Sequence, residues 1–166
     1  LHRGDRRQRQ MCIRDRSNTS TIPLSILTQE MSDSMKTDFC ITHFFNPVRF
    51  MRLLEIVETP TMNKDKMDGL RDFCKNELGK GIVNCNDTPG FIGNRIGVYA
   101  MQVAMYEALE RGLPVEIADA LFGRPLGIPK TGVFGLYDLI GIDLMKDVLA
   151  SFKKELQEND PFMDVV

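Results

Sequence analysis

From Ser17 onward, short apolar runs alternate with stretches whose apolar residues recur at helical spacing. "SNTSTIPLSILTQEM" opens as a polar turn. Pro23 then starts a short helix with Leu24, Leu27 and Met31 on one face. "DFCITHFF" (38–45) is rich in β-branched and aromatic residues and ends at Asn46-Pro47, which predicts a strand. "MRLLEIVE" (51–58) predicts a second strand, closed by Thr59-Pro60. "MNKDKMDGLRDFCKNELG" (62–79) predicts an amphipathic helix capped by Asn63, with Met67, Leu70, Phe73, Cys74 and Leu78 on its apolar side. "GIVNC" (81–85) is a third strand. Strand, strand, helix, strand in this order points to the later part of an α/β domain.

The pattern changes at "NDTPGFIGNRIG". Thr88 is placed to cap a helix with Pro89 in its first turn. Its periodicity runs through Ile92, Ile96, Tyr99, Val103 and Tyr106 until Gly112. Further helices are expected at 114–122, 133–140 and 143–157, with no return of strand patterning. The chain thus reads as a partial α/β domain over 17–87 and a helical domain over 88–166.

Residues 1–16 stand apart. They hold six of the 21 basic residues and two of the 23 acidic ones, so the remainder carries a net charge of −6. An arm for nucleic acid would feed a basic domain, but an acidic one follows, so no nucleic-acid partner is expected. The segment lacks the apolar core of a signal peptide and the serines of a transit peptide. Its "MCIRDR" resembles translated adapter sequence, and the head is set aside as non-native. Cys12, Cys40, Cys74 and Cys85 form no CxxC pair and no cluster with histidine, so reduced thiols in a cytoplasmic setting are expected, and no metal site. No apolar run reaches the roughly 20 residues of a membrane span.

The candidate chemistry lies in the two strands. His43 stands near the end of the first, and Glu55 interrupts the apolar "LLEIVE" of the second, twelve positions on. A buried carboxylate needs a partner. An imidazole is a suitable one: the carboxylate fixes its tautomer and leaves the other ring nitrogen to act as a general base. On the residues alone two readings stay open, a catalytic dyad or a core histidine beside a solvent-facing edge glutamate.

"SNTSTIP" (17–23), "HFFNPVRFMRLLEIVE" (43–58), "NDTPGFIGNRI" (86–96) and "GIPKTGVFGLYDLIGID" (127–143) resemble, in order and spacing, the signature blocks of the L-3-hydroxyacyl-CoA dehydrogenase family. The resemblance implies a Rossmann-type NAD-binding domain followed by an all-α domain. It also implies NAD-dependent oxidation of L-3-hydroxyacyl-CoA to 3-oxoacyl-CoA in fatty-acid β-oxidation. By the same resemblance His43 is the base that takes the proton of the 3-hydroxyl, and Glu55 is its partner. Ser20 lies near the substrate hydroxyl and the nicotinamide, Asn46 lies beside the cofactor carboxamide, and Asn94 completes the site from the helical side. Acyl-CoA is the implied substrate, and pairing of two copies through the helical domain is an expected assembly.

The family's opening strand, GxGxxG turn and helix do not occur in these 166 residues. "GKGIVN" (79–84) leads into a strand instead of leaving one. The chain therefore reads as a fragment without the first half of its Rossmann domain, expected to bind NAD poorly and to be inactive alone. Lys130-Thr131 and "LGKGIV" are closer to bacterial proteins that fuse this dehydrogenase to an enoyl-CoA hydratase. A competing reading keeps the fold without the chemistry, as a helical dimerisation or scaffolding module.

Overall fold

The computed structural model describes residues 16–127 and 130–166. Two compact units divide it, the first ending at Phe91 and the second running from Ile92 to Val166.

The first unit contains β1 (Arg16–Ser17), α1 (Leu24–Leu27), α2 (Asp33–Lys36), β2 (Cys40–Phe44), β3 (Leu53–Val57), α3 (Lys64–Asn76) and β4 (Gly81–Cys85). The strands form one sheet in the order β1-β2-β3-β4. β1 runs parallel to β2, β2 antiparallel to β3, and β3 parallel to β4. The connection 45–52 is too short for a crossover, so β2 and β3 must turn back on each other, whereas α3 supplies the crossover from β3 to β4. The boundary expected between the Arg-rich head and the α/β domain, at Arg16–Ser17, falls inside β1, a strand where a polar turn was expected, because Arg16 and Ser17 pair with Cys40 and Ile41. The rest of the Arg-rich head lies outside the described residues.

Alternation along the strands sorts their side chains between two faces. On one face Cys40, Leu54 and Ile56 pack against Met67, Leu70 and Cys74 of α3. On the other, Ile41 and Val57 pack with Leu24, Phe39 and Phe91. Leu24, Leu70 and Met67 are buried, and each such side chain contributes about 1.5–3 kcal/mol. Asn63 caps α3 as expected, its side chain accepting from the Lys66 N–H at 3.1 Å. The expected apolar side of α3 is too wide, since Phe73 and Leu78 are about half exposed. α1 stops at Leu27, so Met31 reaches the same cluster from a turn and not from a continued helix.

The second unit contains α4 (Gly93–Glu110), α5 (Val115–Leu121), a 3-10 turn (Arg124–Leu126), α6 (Phe134–Ile140), α7 (Ile142–Glu155) and a closing 3-10 turn (Pro161–Val165). α4 differs from expectation at its start and in its face. Thr88 to Phe91 form a turn closed by the Phe91 N–H on the Thr88 carbonyl, and the helix begins at Gly93 without a side-chain cap. Gly90 and Phe91 both adopt positive φ, which a helical turn cannot contain. Ile92, Ile96 and Tyr106, expected inside, are exposed, while Val98, Gln102, Ala104 and Ala108 are buried. Apolar residues lie on every side of this helix, so its pattern does not single out one face; Val98, Tyr99, Met101 and Met105 are the ones that turn to the core of the unit.

Val98, Tyr137, Met145, Phe152 and Phe162 form the core of this unit. Inside it the Gln102 amide donates to the Tyr137 hydroxyl at 2.6 Å. Asp119 accepts from the N–H groups of Phe134 and Gly135, at 2.7 and 2.9 Å, and so closes the start of α6. Gly132 approaches Asp119 so closely, with φ +67°, that a Cβ there would lie 2.5 Å from it.

Candidate active site

The antiparallel register pairs His43 directly with Glu55. Both point to the face that carries Ile41 and Val57, because each is two positions from one of them. Their side chains meet: His43 Nδ1 lies 2.7 Å from Glu55 Oε2. The residues are only 3% and 1% exposed. A carboxylate can only accept, so wherever Glu55 is ionised the bond is donated by Nδ1–H, and Nε2 is the ring nitrogen left for another partner. The strand-interior glutamate is thus not an edge residue facing solvent.

Two aromatic rings hold the imidazole. Phe45 lies 4.5 Å from it and Phe91 5.7 Å, centroid to centroid, both tilted by 56°. Phe91 is the one non-glycine residue with positive φ (50°) among the described residues. A phenylalanine in that region is unfavourable by itself and is retained where its surroundings fix it. Here it is buried in the cluster formed with Leu24, Ile41 and Val57.

The other residues singled out in the sequence fall into two groups. Ser20 lies just beyond β1 and Asn46 just beyond β2, both exposed. Since β1 and β2 are parallel, these two stand at the same edge of the sheet as His43, where open α/β sheets receive ligands. Asn94 belongs to the second unit, where it is half-buried in the first turn of α4.

Three residues that the sequence reading passed over shape this edge. Asn18 accepts from the Phe44 N–H at 3.0 Å and ties the segment carrying Ser20 to the residue after His43. Asp87 accepts from the N–H groups of Leu24 and Ser25, closing the start of α1. Phe91 covers the imidazole. All three lie inside the quoted motif blocks, and the Asp87 carboxylate directly before Thr88-Pro89 was the available signal. Cys74 is no competing nucleophile. Burial pushes its thiol up, outweighing the nearby cations Arg16 and Lys80, and it packs as a core residue. Among the described residues no cluster of three metal-ligating side chains occurs. Nor is any helix among them long and apolar enough to cross a membrane.

Residues 9–88 match the family model for the NAD-binding domain of 3-hydroxyacyl-CoA dehydrogenase, and residues 90–165 match the model for its C-terminal domain. A Rickettsia prowazekii protein bearing the name of a fatty acid oxidation complex trifunctional enzyme is 42% identical over 146 residues, 88% of this chain and 20% of that one. The crystal structure of FadB2 from M. tuberculosis superposes with a TM-score of 0.75 at 28% identity, covering 89% of this chain and 50% of that one. The (S)-3-hydroxybutyryl-CoA dehydrogenase PaaH1 from Ralstonia eutropha gives 0.71 at 29% identity, over 84% and 48%. The chain thus spans a fifth of that curated relative and about half of each solved one. By these likenesses the first unit is a Rossmann-like α/β domain and the second its helical companion.

Proposed function

We propose that this chain, which belongs to the 3-hydroxyacyl-CoA dehydrogenase family, carries the proton-transfer machinery for oxidising an L-3-hydroxyacyl-CoA to its 3-oxoacyl form with NAD, a step of fatty-acid β-oxidation. The observation that supports this most is the buried 2.7 Å contact between His43 and Glu55 at the ligand-receiving edge of the sheet.

His43 Nε2 takes the proton of the 3-hydroxyl as C3 is oxidised. Glu55 stays on Nδ1–H, which holds the neutral tautomer before the transfer and stabilises the imidazolium after it. Phe45 and Phe91 keep the ring plane fixed, so that little reorganisation accompanies the step. NAD, when bound, accepts the hydrogen and electron pair from C3. Ser20 and Asn46 are exposed polar side chains at that edge and suit its nicotinamide end. The glycine-rich turn that holds a pyrophosphate is not in this sequence, so no residue here is assigned to the phosphates. Asn94 lies in the helical unit, and a part for it in the chemistry rests on the family resemblance alone.

The test is NADH formation from L-3-hydroxybutyryl-CoA by the polypeptide of the complete reading frame that contains these residues. His43→Gln should lower kcat by about 10²- to 10⁴-fold. A variant that kept most of the rate would remove His43 from the role of base.

A second reading, self-association through the helical unit, is favoured by Leu109, Leu139 and Ile142, which are 66%, 73% and 67% exposed. Pairing is compatible with catalysis, and we assign a homodimer in the cytoplasm. As the sole function, however, it leaves the buried acid–imidazole pair without a purpose. Sedimentation of the same polypeptide as a monomer would dismiss the pairing and leave the chemistry untouched.

A further inference from the structure

The loop between β2 and β3 carries Asn46, yet residues 46–52 are all exposed. Val48, Phe50 and Met51 are 43%, 74% and 39% exposed, so no buried side chain fixes the loop. Inside it, the N–H groups of Phe50 and Met51 both turn back onto the Pro47 carbonyl, at 2.9 and 3.0 Å. One short segment, Lys80–Gly81, ties the loop to the rest of the unit. The Gly81 N–H donates to the Arg52 carbonyl at 2.7 Å. Lys80 Nζ donates to the Val48 carbonyl at 2.5 Å and to the Met51 carbonyl at 2.7 Å.

A lysine ordinarily keeps its ammonium in water. Lys80 is 8% exposed, and the hydrogen-bond acceptors its ammonium meets are backbone carbonyls. Its charge is met by the two carbonyls and by the ring of Phe44, 5.7 Å away, the neighbour of His43 in β2. Its own backbone is anchored by its N–H on the Cys74 carbonyl, just after Gly79 turns the chain out of α3 at φ +64°. Burying an ammonium is costly, and hydrogen bonds to charged donors are the strong ones. That expense falls on a loop with no packing of its own.

We infer that Lys80 is a positioning residue: its ammonium clamps the β2–β3 loop through the Val48 and Met51 carbonyls and so fixes where Asn46 stands at the sheet edge. The functional half of this inference rests on the proposed dehydrogenase reading; the clamp itself does not.

The experiment compares wild type with Lys80→Met, which keeps the bulk, and Lys80→Arg, which keeps charge and donors, in the polypeptide of the complete reading frame. Hydrogen–deuterium exchange is read over residues 46–52, and NADH formation gives KM for NAD and kcat separately. Lys80→Met should speed exchange in 46–52 by about ten-fold or more, since two charge-assisted bonds are lost. It should raise KM for NAD by a similar factor while changing kcat little, and Lys80→Arg should recover most of both. If Lys80→Met does not fold, Lys80→Gln, which loses the charge but keeps a donor, takes its place. Unchanged exchange in 46–52 overturns the clamp whatever the activity. Faster exchange with an unchanged KM overturns the link to Asn46. A wild type without NAD-dependent activity defeats the dehydrogenase reading instead and leaves the exchange result to decide the clamp.

Discussion

Among the described residues each unit holds a short buried polar contact between side chains, and these two contacts differ in kind. In the α/β unit His43 meets Glu55 at 2.7 Å, two ionisable groups on neighbouring strands at the ligand-receiving edge. In the helical unit Gln102 meets Tyr137 at 2.6 Å, between α4 and α6. Burial pushes the Tyr137 phenol up, with the Gln102 hydrogen bond opposing it, so that pair stays neutral. A neutral pair specifies how helices pack at modest cost. A pair able to carry charge costs more to bury than it returns in stability, and its use is chemical.

The largest effect that would sharpen this contrast comes from His43→Leu. It removes the imidazole that the buried Glu55 carboxylate meets and should destabilise the α/β unit by about 3–5 kcal/mol in urea denaturation. His43→Leu combined with Glu55→Leu should regain most of that loss, because an apolar pair fits the same face. A double variant no more stable than the single would mean that the carboxylate is not the source of the cost. In the helical unit Tyr137→Phe strands the Gln102 amide and should cost about 1–3 kcal/mol. Adding Gln102→Leu should bring stability back near wild type. If both double variants recovered equally little, the two contacts would not differ as described.

The smallest effect is acid sensitivity at the end of the chain. Asp160 pairs with Arg95 and accepts from the Phe162 N–H at 2.9 Å. Burial alone would raise its carboxyl, but that N–H and the Arg95 guanidinium outweigh it and hold it below the ordinary carboxylate value. The group therefore stabilises the fold fully above the unfolded value, roughly 3.9, and the gain is lost as pH falls through the lower folded one. Thermal melting followed from neutrality to about pH 3 should show this acid limb, and Asp160→Asn should flatten it. An unaltered limb would place the sensitive carboxylate elsewhere.

Several of these features are legible in the sequence. Short apolar runs bounded by Asn-Pro, Thr-Pro and glycine marked β2, β3 and β4, because strand length and termination are local properties. Asn63 announced the start of α3 for the same reason. The motif blocks gave His43 and Glu55 as a pair worth testing. Their cross-strand opposition needed the register, which the turn at 45–52 sets and no single residue reveals. α4 shows a related limit: with apolar residues on every side, its sequence states helix but not face, and packing buries Ala104 and Ala108 while Ile96 and Tyr106 stay exposed.

Local chemistry in the sequence thus determined which segments are strands and helices and which side chains are able to move protons. Tertiary structure alone decided that Phe91 would cover the imidazole, that Asp87 would close α1, and that the Lys80 ammonium would hold an exposed loop. Each of these contacts joins residues far apart in the chain, and their worth depends on the water excluded between them, which no local pattern records.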